Sequence, residues 1–307
     1  AAGAALAAVG IGPVSAQQQV VKVTGPTINE TTHNWMKLFK GRVEKAAGER
    51  MRVDMYPASQ LGPIPRMIDG VQLGTIEIAA MPIDFLAGVD RRYTLVGAPA
   101  VFDDVSHGFR TLHDPRVKEL FWRLGEAKNF ATVGMTCDTP TTYVARRPIK
   151  TLDEFQGKKI RVFANVAERE ALRRLGATAS PMPVEEVMMA LTTGVIDAAK
   201  GTVTVWYPFK YYGVAKHIIR TEEALICVIK IASKSWLEGL PADLRRIVTE
   251  EAIESDKDNM PFIIDFIGKA YEQWTAAGGE VLDLSPAERD ELRKKLASVG
   301  DVVVEGD

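Results

Sequence analysis

Apolar and polar positions along this chain follow two periods, and the pattern switches between them from one end to the other. Val20 to Val23 form a short apolar run closed by Thr24-Gly25-Pro26, which predicts a strand and a turn. Trp35, Leu38, Phe39, Val43 and Ala46 then recur at helical spacing, so a helix is expected over 31–47, ended by Gly48. The stretch 51–57 alternates as a half-buried strand should. Ile64, Met67, Ile68 and Val71 share one face of a helix over 63–73, and 75–82 is a further strand. Val117, Leu120, Phe121 and Leu124 stripe a helix ending near Lys128, before a strand over 130–136.

The second half continues in the same way. A turn and short helix within 146–157 lead to a strand over 159–163, then a helix over 165–175 stopped at Gly176. A helix over 184–193 ends at Gly194, a strand follows over 195–199, and 205–213 reads as helical. The run 224–233 is a long apolar strand. From Pro241 the helical pattern persists to Gly278-Gly279, with Pro261 as a possible kink, which at ~1.5 Å per residue is long enough to cross two lobes. Ser285-Pro286-Ala287-Glu288 is a capping box with proline at the first helical position. Strands alternating with helices imply an α/β fold on a parallel sheet. No Pro/Gly-rich linker separates the halves, which fits two lobes joined by ordinary strands and able to bend about a hinge.

A length of 307 residues suggests one large or two medium domains. A net charge of −2 gives no reason to expect nucleic acid or an anionic membrane as partner. Residues 1–16 are small and apolar and end in Val14-Ser15-Ala16, so they read as the remainder of a signal peptide on an exported chain beginning near Gln17. No other apolar run reaches the ~18 residues that span a bilayer. Export permits a disulfide between Cys137 and Cys227, but two buried thiols behaving as small hydrophobes are the simpler expectation.

Enzyme signatures are missing. The chain has no G-x-S-x-G, no phosphate-binding G-x-x-x-x-G-K-[ST], no G-x-G-x-x-G and no H-E-x-x-H. His33, His107, His113 and His217 are scattered, and none has metal-ligand spacing with a cysteine. The expectation is no catalysis, no cofactor and no metal. Arg161 stands out because it interrupts an apolar strand between Ile160 and Val162. It either lies on a solvated face or points into a cleft as the anchor for an anion.

Three stretches carry a resemblance that bears on that choice. Residues 43–80, with Tyr56-Pro57, Gln60-Leu61-Gly62 and Gly70-Val71-Gln72-Leu73-Gly74-Thr75, resemble the N-terminal lobe of solute-binding proteins of TRAP (tripartite ATP-independent periplasmic) transporters. Residues 146–162 with 175–198, and residues 236–252, are similar to later parts of the same family in the same order. The resemblance implies a two-lobed periplasmic-binding-protein clamshell with a long C-terminal helix spanning both lobes. The implied division is 17–140 with 224–260 in lobe I and 141–223 in lobe II, with 261–307 packing across both. It also implies a monomer that captures a small carboxylate and delivers it to TRAP membrane subunits, and it puts both sulfurs near the hinge. A sensor domain of the same fold, or a periplasmic enzyme for the same acid, is the alternative.

Arg161 matches the arginine of the family's G-x-K-[IL]-R-V strand, which implies that it pairs with the ligand carboxylate, a role its planar fork suits. Phe163, on the same strand face, and Trp206 and Tyr207, in a segment that lines the family's cleft, are the accompanying candidates. Thr27, Asn29, His33 and Phe85 sit just past strands of the other lobe, where ligands of open α/β sheets bind, and Tyr143 completes the set. Two departures stand out. Gly201 replaces an asparagine that many relatives carry, and 138–143 lacks the second arginine of some relatives. Both argue against a long sugar acid, leaving C4-dicarboxylates, 2-oxo or hydroxy acids and aromatic carboxylates.

Overall fold

The computed structural model describes residues 18–163 and 165–305, so the leader read at 1–16 lies outside the described residues. The strands are β1 (Gln19–Thr24), β2 (Met51–Tyr56), β3 (Ile78–Pro82), β4 (Phe130–Pro140), β5 (Thr142–Ala145), β6 (Lys159–Val162), β7 (Thr178–Pro181), β8 (Ala198–Gly201), β9 (His217–Arg220), β10 (Leu225–Ser233) and β11 (Glu280–Asp283). The helices are α1 (Thr31–Ala47), α2 (Ile64–Gln72), α3 (Val105–Leu112), α4 (Pro115–Phe121), α5 (Val166–Arg174), α6 (Val184–Thr193), α7 (Val203–Trp206), α8 (Lys234–Gly239), α9 (Ala242–Ala276), α10 (Pro286–Leu296) and α11 (Val299–Glu305). They build two sheets, ordered β2-β1-β3-β10-β4 and β11-β9-β5-β8-β6-β7, each at the heart of one lobe.

Neither sheet is purely parallel, which corrects the expectation from the alternating pattern. β1 runs parallel to β2 and β3, but β10 is antiparallel to both β3 and β4. In the second sheet β5 is antiparallel to β8 and β9. The reason is topological. β4 and β10 are the crossovers between lobes: β4 leaves the first sheet in the direction of β1 to β3, and β10 returns between β3 and β4 in the opposite direction. They meet at the hinge, where the Thr141 N–H donates to Ala224 O (2.9 Å) and the Glu222 N–H to Thr141 O (3.1 Å).

Cys137 lies opposite Cys227 in this antiparallel register, and the two form a disulfide rather than the two free thiols expected. The bond ties the crossover strands together three residues from Pro140 and beside the hinge. Apolar runs carry no strand direction, so sequence alone could not place the two sulfurs face to face.

Two local differences also have physical causes. The helix expected up to Lys128 stops at Phe121, and a short 3-10 turn over Glu126–Lys128 ends at Asn129 in the left-handed region (φ 65°). The stretch 205–213 is one helical turn, α7, and then a 3-10 turn over Tyr211–Gly213. Pro208 supplies no N–H to a helix, and Lys210 turns left-handed at φ 58°.

The 35-residue α9 links the lobes, at ~1.5 Å per residue a rod of about 50 Å. Its first half packs on α1 and the first sheet. There the Trp35 indole donates to Ala252 O (3.4 Å), Asn34 bonds Asn259 (2.8 Å), and Arg42 pairs with Glu251 (2.7 Å) and Asp258 (2.6 Å). Its second half buries Ala270 and Trp274 in the core of the second lobe. Pro261 sits inside the helix.

Candidate functional site

The lobes meet over a cavity that residues of both line. Its floor is set by β6, which carries Arg161 between Ile160 and Val162. The guanidinium is only 1% exposed. Nε donates to Met182 O and Nη1 to Lys200 O, both at 2.9 Å, and the plane lies 4.3 Å from the Phe163 ring centroid. Nη2 is buried and has no partner. Two carbonyls and an aromatic face therefore fix the fork while one edge of it stays uncommitted. Burial lowers the pKa of Arg161, though Glu168, Tyr211, Glu185 and Asp84 favour its charge.

Behind the fork lies a buried charge network that holds its supporting backbone. Lys200 Nζ sits 3.3 Å from both Glu168 and Glu223. Burial opposes its charge, but the two carboxylates outweigh that and raise its pKa to about 12. Glu168 accepts the Phe163 N–H (2.7 Å), and Asn165 caps α5 by accepting the Glu168 N–H (2.7 Å). Asn165 Nδ2 also reaches across to Asp84 of the first lobe (2.6 Å), and Phe85 meets Phe163 edge-on at 5.7 Å.

Of the residues singled out in the sequence, Arg161, Phe163, Trp206, Thr27 and Phe85 line the cavity together. The other four do not. Tyr143 lies in the core of the second lobe, packed edge-on against Phe155 (5.2 Å), with its hydroxyl on Glu223 (3.1 Å). Tyr207 stacks on Tyr212. Asn29 holds a left-handed turn (φ 59°), with its N–H on His33 Nδ1 (3.1 Å), so both serve the entry to α1.

The cavity contains polar residues that the sequence did not advertise. Glu30 caps α1 with both carboxylate oxygens, accepting from the His33 N–H (2.9 Å), the Thr32 N–H (2.8 Å) and the Thr27 hydroxyl (2.7 Å). Asp138 and Thr139 sit at the hinge end of β4, and Thr202 and Thr204 at the start of α7. Glu30 is not among the favoured capping residues, and isolated threonines have no signature, so no sequence signal marked them. Among the described residues, no group of His, Cys, Asp or Glu is placed to hold a metal ion.

Gly201 is explained by close approach. A Cβ there would lie 2.3 Å from the Trp206 ring. The indole covers the glycine and donates to Thr142 Oγ1 (3.0 Å). The aromatic ring of Trp206 thus takes the space beside Gly201. Gly201→Asn is therefore expected to push the indole out of its seat, costing about 1–3 kcal/mol of stability and shifting tryptophan emission to the red. Gly201→Asn with Trp206→Leu is expected to recover most of the stability. An unshifted spectrum would contradict this packing.

Burial and Glu168 push Asp84 up to about 7 against the opposing pull of Lys200, and burial pushes Asp138 up to about 6. Such carboxyls keep a proton in the folded chain where the unfolded chain has lost it. Their stabilisation is complete below the ordinary carboxyl range and is lost as pH rises toward those raised values. The contribution of these two groups should therefore fall between about pH 4 and pH 7, and Asp84→Asn should remove its share of that fall in a series of thermal melts. His33, lowered by burial and Lys37, contributes the opposite slope, so the comparison of variant with wild type isolates Asp84.

Comparison with known proteins bears on this geometry. The model of the bacterial extracellular solute-binding protein family 7 matches residues 23–306. The chain belongs to that family. It is similar to the 2,3-diketo-L-gulonate-binding periplasmic protein of Escherichia coli, 26% identical over 82% of this chain and 77% of the relative. It is also similar to the C4-dicarboxylate-binding periplasmic protein of Vibrio cholerae, 25% identical over 85% and 79%. A TRAP periplasmic solute binding protein from Shewanella oneidensis with bound succinate superposes with a TM-score of 0.88 at 21% identity, covering 92% of this chain and 93% of that one. The sugar acid binding protein of Advenella mimigardefordensis with galactonate gives 0.87 at 23%, covering 93% of each. These structures share the two-lobed fold of this chain.

Proposed function

We propose that this chain is a periplasmic solute receptor. It takes a small organic acid into the cavity between its lobes, pairs the carboxylate with Arg161, and delivers the acid to TRAP membrane subunits without altering it. The observation that carries this reading is the buried, unpartnered Nη2 of Arg161 in the cavity wall. An unpaired buried donor on a charged group costs free energy that a carboxylate oxygen would recover. Asp84–Asn165 and Phe85–Phe163 join the lobes beside the same fork, so ligand contacts to both sides favour the joined arrangement. The proteins named above as binding C4-dicarboxylates, succinate or galactonate support the class of cargo.

A thermal-shift panel of organic acids tests the reading. Ligand at 100 times its dissociation constant adds ~2.7 kcal/mol, which is visible as a raised melting temperature. Mass spectrometry should recover the bound acid unchanged. A panel with no stabilising acid, or steady conversion of the acid, would defeat the proposal.

A further inference from the structure

Resting on that reading, we infer that the cargo is a monocarboxylate whose other end carries a proton donor, an ammonium group above all, and that a second carboxylate is excluded. Among the described residues lining the cavity, Arg161 is the only cation, whereas Glu30 and Asp138 are both acids. Arg161 comes from the second lobe, and the two acids come from the first. One fork neutralises one carboxylate. A second carboxylate would be desolvated in a cavity already lined by two acids, and such uncompensated charge is strongly disfavoured.

The hydrogen-bond inventory around Asp138 points the same way. The Thr31 hydroxyl lies 2.6 Å from Asp138 Oδ2 and 3.0 Å from Glu30 Oε2, and it has one hydrogen to give. The other oxygen of Asp138 accepts from the Thr136 hydroxyl (2.5 Å), which in turn accepts from Lys230 Nζ (2.7 Å). Lys230 itself pairs with Asp256 at 2.7 Å, so no cation touches Asp138. Asp138 is 3% exposed and held by threonine hydroxyls alone, with acceptor capacity left over. Beside it in the wall, Thr139 Oγ1 is buried with no partner. Burial raises the Asp138 carboxyl toward 6, the direction expected of an acid without a contacting cation. Acceptors thus outnumber donors at this wall, and donors outnumber acceptors at Arg161. Phe85, Val205, Ile226 and Val228 also line the cavity and offer apolar surface to a short hydrocarbon.

Calorimetry with compounds matched in length decides the matter. The set is γ-aminobutyrate, γ-hydroxybutyrate, butyrate and succinate, with α-amino acids added so that the spacing of the two ends is not presupposed. The expected order is amino acid, then hydroxy acid, then butyrate, with succinate at least about a hundredfold weaker than the best amino acid, a gap of ~2.7 kcal/mol at ~1.4 kcal/mol per tenfold. Asp138→Asn should shrink that gap to about tenfold or less, by weakening the amine and admitting the diacid. If the variant does not fold, the wild-type ranking alone decides. Succinate binding tightest in the wild type and lost in Arg161→Ala would overturn this inference while leaving the receptor reading intact. Acid binding that is indifferent to Arg161→Ala would remove Arg161 from the site and overturn this inference, whereas no acid binding at all would overturn the receptor reading.

Discussion

Arg161→Ala binds the preferred acid about 10²–10³·⁵-fold more weakly than the wild type, the equivalent of ~3–5 kcal/mol for removing one partner of a desolvated ion pair. Titration calorimetry measures the loss, and circular dichroism verifies the fold. The truncation also strips Met182 O and Lys200 O of their donor, so the variant should melt earlier by the equivalent of ~1–3 kcal/mol without unfolding. Arg161→Lys separates charge from shape. An ammonium keeps the charge but cannot serve both carbonyls and still present a free edge, so it should recover only part of the affinity. Undiminished binding in the alanine variant would remove Arg161 from the site.

Asp256→Ala is expected to destabilise the fold by about 3–5 kcal/mol. Asp256 lies fully buried on α9. It pairs with Lys230 at 2.7 Å and accepts the Met135 N–H at 2.8 Å, pinning the long helix to both crossover strands. Gly134 makes room for it, because a Cβ there would fall 2.5 Å from Oδ2. Removing the carboxylate leaves a buried ammonium in the middle of β10, every residue of which is buried. Adding Lys230→Met should return much of the lost stability, since replacing both partners avoids the stranded charge. Urea melts of the four-member cycle read this directly. A loss below about 1 kcal/mol for Asp256→Ala would show that the pair does not carry the attachment of α9.

The elements legible in the sequence were those long enough for periodicity to accumulate. The stripe from Trp35 to Ala46 marks α1 as it is observed, and the run from Pro241 foretells the 35-residue α9. The Gly194 cap and the box at Ser285 are also present. Strands β5, β7, β9 and β11 have only four residues each, too few to show a period, whereas the equally short β6 and β8 were read from the helices and turns that flank them. In α3 the stripe is interrupted at Gly108, a glycine because a Cβ would press on Cys137 Sγ at 2.9 Å. The site divides in the same way. Arg161 announced itself by interrupting an apolar strand, and Phe163, Trp206, Thr27 and Phe85 followed from its neighbourhood and from the resemblance. Asp138 and Thr139 could not be read, because their place beside Glu30 depends on how β4 crosses the hinge. Asn29 and His33 lie in the right loop, but the turn of that loop directs them to each other.

The most direct test of the account is a crystal structure with the best-binding acid from the panel. The predicted result is a carboxylate oxygen about 2.7–2.9 Å from Arg161 Nη2, the range of a charge-assisted bond, with the rest of the molecule between Phe85 and Trp206. An acid seated elsewhere, or an Nη2 satisfied by a protein group while the acid is bound, would contradict it.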